Sequence, residues 1–342
     1  MRVGRYRIDV LIGLGVVGLV VAGLIWKHVA QQRDQHSVLA EKYFNEKQYD
    51  QAIAEYTEAI RCDPRSALAH ANRAAAHFNK GELEHAIADY SRAIEIDPQL
   101  VRAYVNRAGV YLNREDAEHT IADCTRAIEL DPTVALAFSH RGEAYFKKGD
   151  FDRAIADCTQ ALALDADLSN AYFSRAAAFQ SKGDHENSIK DWDQLLKLKP
   201  NMASAYVNRA ALHFRKGNIQ QTLADYNEAI RCNPKLADAY ANRGAIYIRL
   251  GDPKKALDDI DRALELNPKM AMAHAYRGDI ALGKGDSKQA ITDYTRAIDL
   301  DPRLAVAYYH RALAHFRNGD PKRAQADQYR AVQLDPDRKS VV

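Results

Sequence analysis

Glycine and proline are scarce in this chain, 17 and 10 of 342 residues, and neither sign of charge prevails: 48 lysines and arginines stand against 46 aspartates and glutamates, a formal net charge of +2. With 27% charged residues in near balance, the chain is neither a disordered tail nor a polycation, and no nucleic-acid partner is expected. The four cysteines, Cys62, Cys124, Cys158 and Cys232, follow no CxxC or other ligand spacing, so they read as small buried hydrophobes. Among the 12 histidines there is no HExxH and no paired-ligand spacing. No metal, cofactor or catalytic group is therefore expected, and the chain is not read as an enzyme.

Long apolar runs are absent too, with one exception. Val10 to Trp26, VLIGLGVVGLVVAGLIW, carries no charge, lies behind Arg2, Arg5 and Arg7, and is followed by Lys27 and Arg33. As a helix it would span about 26 Å, close to a hydrocarbon core once Ile8 and the interfacial Trp26 are added. No small-residue cleavage site follows, so residues 10–26 are expected to be an uncleaved, single-pass transmembrane signal anchor. Residues 1–9 would be its basic flank and 27–32 a helical connector, because neither Gly nor Pro occurs between Gly23 and Pro64. The arginines ahead of the span favour a cytoplasmic amino terminus and extracytoplasmic repeats, periplasmic in a bacterium; a near-equal count behind it keeps a cytoplasmic alternative open. Gly13-x-Gly15-x-x-Gly18 imitates a dinucleotide-binding loop, but the segment from Leu19 to Ile25 is apolar all round, unlike a helix of that fold. Gly18-x-x-x-Ala22 could support weak self-association.

What fills the rest is one pattern, repeated every 34 residues. Asp63-Pro64 recurs as Asp97-Pro98, Asp131-Pro132, Asp165-Ala166, Lys199-Pro200, Asn233-Pro234, Asn267-Pro268, Asp301-Pro302 and Asp335-Pro336. A strict period of this size marks units too small to bury an apolar face alone, which stack on their neighbours. Let position 1 fall at residues 33, 67, 101, 135, 169, 203, 237, 271 and 305. A first helix then carries rings or histidine at position 4 (Tyr104, Phe138, Tyr172), Ala or Gly at 8 (Ala74, Gly142, Gly244) and rings at 11 (Tyr111, Tyr145, Phe179). This stripe is the expected core. Glycines from Gly81 to Gly319 close the first helix at position 15. A second helix has Ala at 20, an aromatic or Cys at 24 (Tyr90, Cys124, Trp192) and Ala at 27, and proline at 32 stops it. Glu115 takes the place of a turn glycine and Ala166 that of a proline, so both turns are expected to be looser. Gln325 and Gln328 make the last second helix polar, as expected where an array ends.

Aromatic at 4, Gly or Ala at 8, Tyr at 11, Ala at 20, aromatic at 24, Ala at 27 and Pro at 32 resemble the tetratricopeptide repeat. The resemblance implies an all-α fold: an α-solenoid, a right-handed superhelix of about nine helix-turn-helix units over residues 33–337, preceded by the one transmembrane helix and followed by a tail at 338–342. It also implies protein or peptide partners rather than small molecules.

Two further regularities concern function. Position 7 is arginine in eight repeats, as Arg73, Arg107, Arg141, Arg175, Arg209, Arg243, Arg277 and Arg311, and position 23 is acidic in all nine. Flanking the core stripes, they are expected to form a structural ladder of ion pairs between helices. Positions 2, 5, 6, 9, 12 and 13 should line a concave groove with a small apolar floor, including Ala71, Val105 and Ala241. Asn72, Asn106, Asn208 and Asn242 stand at position 6, interrupted by His140, with Arg102 beside Asn106. A row of amides, each donor and acceptor, can hold the peptide groups of an extended segment without reading its sequence. The row looks like part of the asparagine ladder in the O-linked N-acetylglucosamine transferase repeats, whereas the carboxylate clamp of cochaperones is missing. The expectation is a membrane-anchored, non-enzymatic scaffold binding extended protein segments in its groove; the alternative is a regulatory or targeting subunit of an envelope enzyme complex, for glycosyl transfer or secretion.

Overall fold

A computed structural model of the chain describes residues 27–336, as α-helices joined by short turns, with no strand among them. The expected membrane segment at 10–26 and the tail at 338–342 lie outside the described residues; within these residues no helix is long and apolar enough to cross a membrane. The helices fall into two compact units, one ending at Asp184 and one beginning at His185. The first holds α1 (27–45), α2 (Tyr49–Cys62), α3 (Ala67–Lys80), α4 (Leu83–Ile96), α5 (Val101–Asn113), α6 (Ala117–Leu130), α7 (Ala135–Lys147), α8 (Phe151–Leu164) and α9 (Ser169–Ser181). The second holds α10 (His185–Leu198), α11 (Ala203–Arg215), α12 (Ile219–Cys232), α13 (Ala237–Arg249), α14 (Pro253–Leu266), α15 (Ala271–Gly283), α16 (Ser287–Leu300), α17 (Ala305–Arg317) and α18 (Pro321–Leu334). Odd-numbered helices are the first of each repeat and even-numbered ones the second. Within each unit a helix packs on its sequence neighbours, and first helices of successive repeats touch, as α5 does α7 and α13 does α15.

Each turn inside a repeat uses one left-handed residue. Gly81 has φ 89°; its amide donates to Phe78 O and that of Glu82 to His77 O, both at 2.9 Å. Glu115 was expected to loosen this turn and does not. It takes φ 60° and keeps the pattern, Glu115 N to Leu112 O at 3.0 Å and Asp116 N to Tyr111 O at 2.9 Å. Lys47 does the same at φ 60°, so two L-residues sit where glycine would be unstrained. The turn at Ala166 is looser by one bond, as expected: the other turns between repeats close with a backbone bond such as Leu100 N to Asp97 O at 3.1 Å, and none joins Leu168 N to Asp165 O. Asp165 N bonds Ala161 O, and the Asp165 carboxylate accepts from Asp167 N at 2.9 Å, as Asp97 and Asp131 do in their turns. The aspartate side chain still holds this turn without the proline, at the loss of that one backbone bond.

The core also departs from expectation. Position 8 packs on position 24, and a Cβ on Gly142 would lie 2.6 Å from Cys158 Sγ, on Gly278 2.7 Å from the Tyr294 ring. Position 24 supplies the largest wholly buried side chains, among them Tyr90, Trp192 and Tyr294. The rings at positions 4 and 11 are mostly half-buried instead, Phe138, Tyr172, Tyr111 and Tyr145 among them. Full burial goes to positions 3 and 10, small or aliphatic residues such as Ala103, Val110, Ala205, Leu212, Ala239 and Ile246. Ala103 and Val110 join the cluster of Tyr90 and Ala93 in the preceding repeat. A first helix is thus covered on two sides, by its own second helix and by the repeat before it, which a single amphipathic stripe does not anticipate.

Candidate protein-binding face

In most repeats the first helix sends position 7 inward along the helix interface and position 6 toward its open face, Ser174 being buried instead. The arginines at position 7 are consumed by structure. Arg73 grips Asp89 with Nε and Nη2, both at 2.7 Å, and its Nη1 reaches Thr57 Oγ1 at 3.1 Å. The carboxylate lies in the repeat's own second helix, sixteen residues on; the hydroxyl lies in the preceding repeat, sixteen residues back. Arg107 with Asp123 and Ser91, Arg141 with Asp157 and Thr125, and Arg311 with Asp327 and Thr295 repeat the arrangement at 2.7 to 3.1 Å. For three arginines of the second unit the partner in the preceding repeat is no longer a hydroxyl: Arg209 holds Asp225 and Asp193, Arg243 holds Asp259 and Asn227, and Arg277 holds Asp293 and Asp261. Arg175 bonds Thr159 Oγ1 at 3.0 Å. The seven arginines other than Arg175 therefore each tie three helices. The position-25 oxygen was missed by sequence reasoning, although Ser, Thr, Asn or Asp at that position in eight successive repeats was the available signal.

The rings at position 4 stay at the boundary because the guanidinium lies over them, 5.6 Å from the Phe138 centroid for Arg141 and 5.7 Å from Tyr240 for Arg243. Burial alone would lower the Arg209 pKa, but its bonds to Asp225 and Asp193 hold it above its ordinary value. The first repeat has Leu39 at position 7, and there His36 Nδ1 meets Glu55 Oε2 at 2.6 Å instead.

Position 6 is different. Asn72 accepts a hydrogen bond from Arg102 of the next repeat, so two predicted groove residues are brought together, with Arg102 exposed. Asn106 is exposed and within bonding reach of the Tyr90 hydroxyl, which burial pushes up to about 12. His140 leans over Gly109, where a Cβ would come within 3.3 Å of its Cε1. Its Nδ1 is buried without a partner, and burial lowers its pKa. Asn208 and Asn242 are half-exposed, and no hydrogen bond from either amide to another described residue is found. In the second unit the row ends on a polar knot: Tyr294 donates to Asp279 Oδ1 at 2.7 Å, and His310 Nδ1 meets the same oxygen at 2.6 Å.

The small apolar floor is only partly open. Ala71, Val105 and Ala241 at position 5 are buried, 2%, 4% and 3% exposed, each inside a core cluster. The accessible part is the position 6 row with position 9 between, where Ala75, Gly109, Ala211 and Ala245 are half-exposed.

Cys124 and Cys158 are wholly buried, and burial pushes the Cys124 thiol well up, which removes it as a nucleophile. One grouping escaped the sequence reading: His77, Glu82 and His85 bring three ligand atoms within 4.8 Å of one another across a turn.

Profiles described as tetratricopeptide repeat match residues 67–100, 135–168 and 237–270, and 101–134 and 305–338; a TPR repeat profile matches 40–81, 178–217, 213–251 and 278–319. A search of curated proteins returned no match. Among solved structures, the chain is similar to that of the APC/C hetero-tetramer Cut9-Hcn1, at 15% identity over 89% of this chain and 73% of that one, TM-score 0.56. It is also similar to pilF of Pseudomonas aeruginosa, at 16% identity over 59% of this chain and 92% of that one, TM-score 0.53. Both likenesses are of fold, an all-α solenoid.

Proposed function

Because the chain belongs to the tetratricopeptide repeat family, matched by its profiles along most of residues 40–338, we propose that it is a non-enzymatic scaffold binding an extended segment of another protein along the open face of its first helices. The observation that carries this reading is the division of labour between adjacent positions. Position 7, arginine in eight repeats, is satisfied internally by carboxylates, whereas position 6 presents Asn106, Asn208 and Asn242 to solvent or half-exposed. An amide row offers donors and acceptors to peptide groups, and saturated arginines offer little to phosphate or nucleic acid. Asn72 and Arg102, joined, add a polar contact at one end of the row and His140 interrupts it.

Residues 10–26 support attachment of this scaffold to a membrane as a single-pass anchor, and the arginines before them favour an extracytoplasmic location for the repeats. Alkaline extraction of native membranes tests the first point, and cysteine accessibility at an engineered exposed site tests the second. For the binding face, a photo-crosslinking residue at position 106 or 242 should form adducts with a partner protein. The same residue at the exposed second-helix positions 129 or 265 should not, and the reverse pattern would move binding to the other face.

A further inference from the structure

The turn between α3 and α4 departs from a pattern that five other repeats keep. In α6, α8, α14, α16 and α18 an aspartate at position 16 caps the second helix, accepting from the backbone amide three residues on, as Asp116 does from His119 and Asp286 from Gln289. Glu82 holds that position before α4 and makes no cap bond. Its carboxylate turns back instead. Oε1 accepts from Lys80, whose Nζ lies 2.6 Å away and is shared with Asp50 at 2.7 Å. Oε2 lies 2.6 Å from His77 Nδ1 and 4.0 Å from His85 Nδ1.

The two imidazoles are stacked, centroids 5.1 Å apart and 28° between planes. His77 is largely enclosed, its side chain 13% exposed, and its other nitrogen, Nε2, faces the Asp89 carboxylate at 3.9 Å. Both ring nitrogens of His77 thus look at carboxylate oxygens. The 2.6 Å contact is a hydrogen bond through an Nδ1 proton, and that shared proton is what a metal ion would displace. Stacking of a residue at position 19 on a ring at position 11 is itself general here, as with His119 on Tyr111 and Arg153 over Tyr145. Two histidines joined by a carboxylate that has abandoned its cap are found, among the described residues, in this repeat alone.

We propose that His77, Glu82 and His85 form a binding site for a borderline divalent transition metal, Zn2+ being the ion whose donor preference the N, N, O set fits. Nδ1 of each imidazole and Oε2 of Glu82 are the ligands, and solvent completes the shell. Asp89, whose two oxygens are held by Arg73, stands 3.9 Å behind His77 Nε2 and adds negative charge on that side without a hydrogen bond. Small side-chain rotations suffice, since donors bound at about 2.0 to 2.2 Å in a tetrahedral shell lie between the present 2.6 and 4.0 Å separations. Magnesium and calcium, which want oxygen ligands, do not fit.

The sister repeats supply the test variants, because Tyr stands at position 11 in Tyr111, Asp at 16 in Asp116 and Gln at 19 in Gln289. With the full chain, free of any histidine tag, Zn2+ is titrated in competition with a chromogenic chelator, Mg2+ serving as the control. His77→Tyr, Glu82→Asp and His85→Gln should each weaken Zn2+ binding by about tenfold or more. Glu82→Asp should at the same time restore the cap, so that the metal-free protein melts no lower than the parent, which separates ligand loss from damage to the fold. Zn2+ affinity equal in the parent and Glu82→Asp, or lost only with His85→Gln as for an isolated surface histidine, would overturn the site.

Discussion

Arg209 and Asp225 share a fork of two hydrogen bonds at 3.0 and 2.6 Å, with the carboxylate side chain only 6% exposed and Arg209 Nη1 at 2.5 Å from Asp193 in the helix before. Removing one partner of a largely buried pair leaves an uncompensated charge, which costs about 3 kcal/mol or more. Arg209→Ala should therefore lower the stability of the second unit by about that amount in urea unfolding. Arg209→Lys, which keeps the charge but not the planar fork, should recover only part of it.

Gly142 is small because the sulfur of Cys158 lies where its side chain would be, with the Ala154 carbonyl and the Cys158 amide at 3.2 Å. Gly142→Ala should destabilise the first unit by about 1 to 3 kcal/mol through overpacking. Adding Cys158→Ala removes the closest clash but not the backbone ones. The double variant should melt above Gly142→Ala and below the parent.

At Glu115 the φ of 60° is one that an L-residue holds at a cost of roughly 1 to 2 kcal/mol, offset for glycine by its greater freedom in the unfolded chain. Glu115→Gly should raise stability by about 0.5 to 1 kcal/mol with no change in helix content by circular dichroism. The turn glycines elsewhere, such as Gly149 at φ 79°, should lose stability on the opposite change to alanine.

Burial lowers the His140 pKa from its ordinary value of 6.5, so the unfolded chain binds a proton that the folded chain refuses. Stability is then full above the unfolded pKa and is lost as pH falls from there toward the lowered folded value. His213 and His315 shift the same way, by burial first. The urea midpoint should fall on acidification below about pH 6.5. His140→Phe should make that fall shallower without abolishing it.

Much of this architecture was legible in the residues. The period, the helix breaks at Gly and Pro and the pairing of positions 7 and 23 all follow from one repeat written out nine times, because identical spacing places identical side chains against one another. What escaped was whatever depends on the neighbouring repeat. Ala103 and Val110 look incidental within their own helix, yet they are buried because the preceding repeat's Tyr90 and Ala93 lie on them. Ser91 and Thr125 look like ordinary surface residues until the next repeat's arginine reaches back to them. Glu115 reads as a weak point, but local hydrogen bonds hold its turn in the common geometry, whereas the turn at Ala166 lacks one backbone bond of its sisters, as its missing proline implies. The anchor expected at 10–26 lies outside the described residues and rests on the composition of that segment alone.

The claim that position 6 presents a row of amides to another polypeptide is tested most directly by changing Asn72, Asn106, Asn208 and Asn242 to alanine together and quantifying partner capture by crosslinking and mass spectrometry from native membranes. None of the four lies in a core cluster, so the variant should melt as the parent does; the account predicts that capture then falls to the background of a control lacking the repeats. Capture undiminished in a variant of unchanged stability would contradict it.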